Sequence, residues 1–158
     1  MSFAILLPNQ VSLCMFHVSA AHGASLGVIY SFCACSNTAT EGPNILVIKD
    51  EQGAVFGAFA PVSWERQQSS QSYIGTGEAF VFKLLPTFQV WGWTHGNSYF
   101  MLGKDDGLAV GGGGNFGLWL DAEFDSGTSA PCATFNNECL ASGQSFHCLE
   151  VQCFGLLE

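Results

Sequence analysis

Four consecutive glycines, Gly111 to Gly114, run into Asn115-Phe116-Gly117-Leu118-Trp119-Leu120. No other stretch constrains the fold as strongly. A glycine inside a helix costs about 1 kcal/mol relative to alanine. The segment that follows is aromatic and alternating, which is the pattern of a strand. The stretch also holds a literal G-x-G-x-x-G at Gly112, Gly114 and Gly117, and Glu138 stands where a ribose-binding acid would be sought. A dinucleotide site needs glycines that leave a strand and open a helix, because the helix N-terminus holds the pyrophosphate. Here a strand follows, and no alternation of strands and helices surrounds it. No Lys-Ser or Lys-Thr pair follows the glycines, so a P-loop is excluded as well. The four glycines are therefore expected to make a sharp corner at which two backbones approach closely.

Charge narrows the partners. Thirteen acidic residues face four basic ones, a formal net charge of −9. Lys49, Arg66, Lys83 and Lys104 are too scattered to form a phosphate-binding footprint, so nucleic acid is excluded. The same deficit argues against an anionic membrane surface. No apolar run reaches the roughly 20 residues that span a bilayer, so direct membrane insertion is not expected. The start, Met1-Ser2-Phe3-Ala4-Ile5-Leu6-Leu7-Pro8, lacks a basic segment and does not read as a signal peptide. Seven cysteines, an odd number, fit reduced thiols in a cytoplasmic setting better than a closed disulfide framework.

The 158 residues suit one domain. Residues 1–8 are expected to be the remnant of a helix. Residues 25–33 carry Leu26, Ile29 and Cys33 at helical spacing behind Ser25 as a possible N-cap. Strands are expected at 11–18, 45–48, 55–59, 79–84, 88–93, 98–102, 108–110, 116–120 and 149–156. Asp50-Glu51-Gln52-Gly53 and Pro86-Thr87 are the turns of two hairpins, and residues 64–73 read as a surface loop. Short strands at close spacing point to a mostly β fold, a two-sheet antiparallel sandwich with a few short flanking helices.

Several blocks, in order, resemble one known family. They are Gly75-Thr76-Gly77-Glu78-Ala79-Phe80, then Trp93-Thr94 with Asn97-Ser98-Tyr99-Phe100, then Leu108 through the glycines to Asp121. Pro131-Cys132-Ala133-Thr134-Phe135-Asn136-Asn137 and Leu149-Glu150-Val151 complete the set. Together they resemble the TLDc domain of the oxidation-resistance proteins, over most of the chain. The resemblance implies the same sandwich, spanning residues 1–158 as a single domain with a shortened N-terminal helical segment. It also implies protection against oxidative stress, through binding of the peripheral sector of the vacuolar proton-pumping ATPase. A cytoplasmic protein recruited to organelle membranes by that partner follows. The pattern departs from the family at Ala79, where Ser or Thr is usual, and at Gln10, where a basic residue usually follows the proline.

Candidate chemistry is sparse. Glu78 lies between a glycine turn and an apolar strand, where a desolvated carboxylate can serve as a general base; it can equally accept hydrogen bonds that fix the turn. Cys132 follows Pro131 in a loop and is the best candidate for an exposed, reactive thiol, although reactivity needs nearby cations that the chain barely supplies. An antioxidant or hydrolytic enzyme built on Cys132 or Glu78 is the alternative to an interaction module. Cys33-x-Cys35 and His147-Cys148 lack the paired spacing of a structural zinc site, so no metal or cofactor is expected. Asp121, Glu123 and Asp125 lack calcium-loop spacing and read as a solvated acidic rim. Gly75, Gly77, Glu78, Gly112, Gly114, Asp121, Asn136 and Asn137 remain as residues that shape loops or a protein-binding edge.

Overall fold

A computed structural model of the chain describes residues 4–6, 12–18, 42–64 and 72–157. The protein is mostly β. Its strands are β1 (Ala4–Leu6), β2 (Ser12–Val18), β3 (Asn44–Asp50), β4 (Val55–Ala60), β5 (Phe80–Leu85), β6 (Gln89–Trp91), β7 (Met101–Gly103), β8 (Gly107–Val110), β9 (Leu118–Asp121), β10 (Ser126–Thr128) and β11 (Ser145–Leu157). All pairings are antiparallel, and a continuous path runs β6-β5-β4-β3-β11-β10-β9-β8-β7, with β2 beside β11 and β1 beside β2.

The long strand β11 joins the two arms of this path. Its first residues pair with β10, through Phe146 opposite Gly127. The register shifts between Cys148 and Glu150. Beyond that bulge the strand lies between β2 and β3, with Val151 opposite both Val18 and Ile48. A bulge of this kind sharpens the local twist at the point where the strand passes from one arm to the other.

Alternation sets the core. On β3, Leu46 and Ile48 are fully buried while Lys49 is exposed. Phe56 and Val81 from the same arm join Leu108, Val110, Leu118 and Leu120 from the other arm in a single cluster. The Phe56 and Phe146 rings meet edge-on at 5.0 Å, bridging β4 to the start of β11. Burying a side chain of this size is worth about 1.5–3 kcal/mol. Buried Asp50 fastens the β3–β4 turn to the approach to β11. One carboxylate oxygen accepts from the Gln52 and Ala54 amides, and the other from the amide and hydroxyl of Ser142.

Three expectations need correction. The helical remnant at residues 1–8 is instead the site of β1, because Ala4, Ile5 and Leu6 pair with Cys14, Leu13 and Ser12. The loop expected at 64–73 begins with a buried residue: the Trp64 indole donates to Asn44 Oδ1 at 3.0 Å, and the ring is 1% exposed. Strand β10 was not expected at all. The two hairpins are where the turns placed them. Among the described residues there is no helix. The helix expected at 25–33 lies outside them, as does Cys33-x-Cys35. No helix among the described residues is long and apolar enough to cross a membrane.

Candidate functional site

The glycine corner is held by three loops that meet at one end of the ladder. After β8 the chain turns at Gly111, whose φ is +78°. A Cβ there would lie 2.6 Å from Cys132 Sγ and 3.0 Å from the Phe135 ring, so only glycine allows the approach. Gly112 follows, buried, and its amide donates to the Thr134 hydroxyl at 2.9 Å. That hydroxyl donates in turn to Asn97 Oδ1 at 2.7 Å. Asn97 Oδ1 also accepts from the Tyr99 amide, while its backbone carbonyl accepts from the Trp93 indole at 2.7 Å. The Thr94 amide donates to the Thr134 carbonyl at 2.9 Å, and the Thr94 hydroxyl to the Ala133 carbonyl at 2.7 Å. Residues 93–100, 111–117 and 129–140 thus form one knot around a buried threonine.

Asn137 closes the third loop on itself. Its side chain is 2% exposed. The Nδ2 group donates to the Ala130 carbonyl at 3.0 Å and to the Glu138 carbonyl at 2.7 Å. Oδ1 accepts from the Cys132 amide at 3.3 Å and from the Cys132 thiol at 3.2 Å. Ser129, fully buried, donates to the Gly117 carbonyl at 2.7 Å and accepts from the Leu140 amide at 2.9 Å. No buried side-chain nitrogen or oxygen among the described residues lacks a partner. This is how a polar network stabilises a loop cluster, since each unmet buried group would cost about 1–3 kcal/mol.

The candidate residues fall into distinct places. Asn137, Gly112 and Cys132 are brought together in the knot. Asn136 is exposed, at a φ of +49°, and its amide donates to the Cys132 carbonyl at 2.8 Å, so it makes the turn that presents Asn137. Gly114 is exposed and has open space where a Cβ would be. Gly75 and Gly77 lie before β5; the Trp93 ring occupies the Cβ position of Gly77, which links that turn to the knot. Asp121 is not a free rim acid. It accepts from the Asp125 amide at 2.9 Å and from the Ser126 hydroxyl at 2.9 Å, and so caps the β9–β10 turn.

Two candidates for chemistry do not have the environment their roles require. Cys132 was expected to be exposed; it is 5% exposed. Burial pushes its thiol pKa above the usual value, the opposite of what a nucleophilic thiolate needs. The physical reason is the glycine corner itself, which packs Gly111 directly on Sγ. Glu78 is exposed and therefore not desolvated, contrary to the general-base expectation. Cys148, which neighbours the acidic turn, is pushed up to about 12 by burial and then by Asp121, Asp125 and Asp50. Cys132, Cys139 and Cys148 are free thiols. No group of three or more His, Cys, Asp or Glu side chains poised for a metal occurs among the described residues. β9 follows the glycines as a strand, with no helix to receive a phosphate.

A cavity of about 500 Å³ opens beside the knot, lined by residues 112–116 together with Tyr73, Thr128, Gln144 and Ser145 among others, and no charged side chain lines it. Tyr73 stacks on Tyr99 at 4.8 Å, and burial first, then Tyr99 and Cys132, raises its hydroxyl pKa. Thr134, Asn97 and Ser129 are the residues that reasoning from sequence did not single out. The first two lie inside the blocks that carry the family resemblance; Ser129 had no signal of its own.

An antiparallel β domain whose glycine corner is locked by buried Thr and Asn side chains is the class that fold and site define. The model of the TLDc domain family matches residues 5–157. Human oxidation resistance protein 1 is 36% identical over 163 aligned residues, covering 94% of this chain and 18% of that protein. Mouse nuclear receptor coactivator 7 is 41% identical over 126 residues, covering 79% of this chain and 13% of that protein. Oxidation resistance protein 1 of Xenopus laevis is 40% identical over 133 residues, covering 84% and 15% respectively. This chain belongs to the TLDc domain family. It spans less than a fifth of the length of these relatives.

Proposed function

We propose that this chain is a protein-interaction domain with an oxidative-stress-related role, and that it works by docking rather than by chemistry. Family membership and the oxidation resistance relatives support the role. The observation that carries the docking reading is the saturation of the knot. Its buried hydroxyl, amide and thiol groups are committed to holding three loops in one shape. A rigid loop surface is what specific protein recognition requires.

The partner proposed is the peripheral sector of the vacuolar proton-pumping ATPase, bound from the cytoplasm, with any membrane association made through that partner. This rests on the family resemblance. The fold is proposed to be a sandwich in which the β3–β5 arm faces the β8–β9 arm across the shared core, and neither cofactor nor metal is needed. The test is quantitative binding of the chain to purified peripheral sector. A complex in the micromolar range or tighter, weakened at least tenfold by Thr134→Val, supports the proposal. No complex by sedimentation and by electron microscopy overturns it.

The enzyme alternative draws on Cys132 and Glu78. Cys132→Ser and Glu78→Gln are expected to leave cellular resistance to peroxide intact at matched protein levels. Loss of protection by either variant, with thermal stability unchanged, would restore the enzyme reading.

A further inference from the structure

The cavity beside the glycine knot is walled by fixed elements, yet it does not share the knot's saturation. It encloses about 500 Å³, within the range of roughly 300–1,000 Å³ typical of small-molecule sites. Thr128 and Ser145 stand opposite each other on β10 and β11, so their side chains share one face of the ladder. Tyr73 is held as firmly. The Ile74 amide donates to the Met101 carbonyl at 2.8 Å, and the Tyr73 ring stacks on Tyr99. A Cβ at Gly112 would lie 2.9 Å from the Tyr73 hydroxyl, so this glycine makes room for that hydroxyl at the cavity wall.

The lining decides the class of ligand. No charged side chain lines the cavity, so an ion entering it would lose hydration with no opposite charge in return. The lining carries instead the hydroxyls of Tyr73, Thr128 and Ser145 and the side-chain amides of Asn115 and Gln144. Among the described residues none bonds to those three hydroxyls or to the Gln144 amide. Asn115 makes one long contact, from Nδ2 to the Pro131 carbonyl at 3.4 Å. Tyr73 keeps its proton, because burial raises its pKa. A purely apolar ligand would strip water from all of these groups and return nothing. Each of them both donates and accepts, and a sugar hydroxyl does the same. The half-buried Phe116 ring offers an apolar wall to the C–H side of a sugar ring. A nucleobase fits less well. Its polar atoms lie along its edges and it needs a ring face to stack on, whereas the Tyr73 ring is already stacked on Tyr99.

We propose that this cavity binds a neutral carbohydrate, as a free mono- or disaccharide or as the end of a glycan. The Tyr73, Thr128 and Ser145 hydroxyls and the Asn115 and Gln144 amides bond to its hydroxyls, and Phe116 packs against its C–H face. The site does not depend on the vacuolar ATPase being a partner, so failure of either proposal leaves the other standing.

The experiment records amide chemical shifts of the whole chain by NMR while glucose, galactose, mannose, N-acetylglucosamine, maltose and cellobiose are titrated in. Phosphorylated, carboxylated and amino derivatives of any sugar that binds serve as charged controls, and cytosine as a neutral heterocycle. Expected is a saturable shift centred on residues 113–116, 128–130 and 144–145 with at least one neutral sugar, at a Kd of about 1 mM or tighter. Its charged derivatives should bind more weakly. Thr128→Val and Tyr73→Phe keep shape and each remove one hydroxyl. Each should weaken binding about tenfold, the effect of one lost hydrogen bond, with the urea midpoint unchanged. The wild-type shift map is a readout that needs no variant to fold. A methyl glycoside that binds as well as the free sugar assigns the source to a glycan end, and loss of binding assigns it to a free reducing sugar; both support the proposal. No saturable shift with any of the sugars overturns it. So does tighter binding of a charged derivative or of cytosine, and so does sugar binding that both variants leave unchanged.

Discussion

The glycine knot and the β5–β6 hairpin sit on the same antiparallel ladder and treat their side chains in opposite ways. The knot buries polar groups and pairs every one of them. The hairpin leaves apolar groups in water, and among the described residues no strand pairs with its outer edge. In the knot, removing the Thr134, Asn137 or Ser129 side chain leaves a buried partner unmet, so these residues carry stability. In the hairpin, the exposed side chains add little to folding, so their chemistry is free to serve something else. This contrast separates residues that shape the domain from residues that the fold leaves unused, and substitutions can test it.

Within the knot and the hairpin, Gly111→Ala should show the largest effect. The residue must hold a φ of +78° and its new Cβ would sit 2.6 Å from Cys132 Sγ. The left-handed backbone costs about 1–2 kcal/mol for a residue with a Cβ, and forced overpacking adds about 1–3 kcal/mol. A loss of about 3 kcal/mol in unfolding free energy is expected, read as a lower urea midpoint at constant slope. Gly114→Ala gives the internal control. Its φ is +102° but nothing lies within 4 Å of the added carbon, so about 1 kcal/mol is expected. Equal losses at the two glycines would break the claim that packing on Cys132 fixes the corner.

Thr134→Val comes next. The change keeps volume and removes the hydroxyl, leaving the buried Gly112 amide without its acceptor. Asn97 Oδ1 keeps the Tyr99 amide and so stays partly satisfied. About 2 kcal/mol should be lost. Amide exchange should quicken at Gly112 ahead of the β3–β4 arm. A change within 0.5 kcal/mol would mean that the network is dispensable, and the contrast with the hairpin would fail.

The legible parts of this fold are those where one residue type decides the local outcome. The continuous apolar run Ile45-Leu46-Val47-Ile48 gave β3, and Asp50 to Gly53 gave its turn. The aromatic run after the glycines gave β9 and removed the nucleotide reading. Strand β10 was illegible because Ser126-Gly127-Thr128 has no apolar residue; Gly127 is there because the Phe146 ring lies 2.6 Å from where its Cβ would be. That reason exists only in three dimensions. Cys132 misled for the same kind of reason: a cysteine after a proline reads as exposed loop, and only the approach of Gly111 and Asn137 shows it buried. The site was legible through the family blocks, which contain Asn97, Thr134 and Asn137, but nothing in the sequence says that Thr134 is the centre.

Phe88→Ser is the smallest expected effect and the sharpest test of the contrast. The ring is 68% exposed. Its removal opens no cavity and orphans no hydrogen bond, so the change in stability should stay within about 0.5 kcal/mol, the range of ordinary surface sites. Truncation of a core ring gives the scale: Phe56, fully buried, should lose about 3–5 kcal/mol on replacement by alanine. If Phe88→Ser instead lowers the urea midpoint like a core residue, the hairpin is part of what holds the fold, and its exposed apolar group is no longer spare. If stability is untouched while solubility rises, the ring is in water for a reason other than folding.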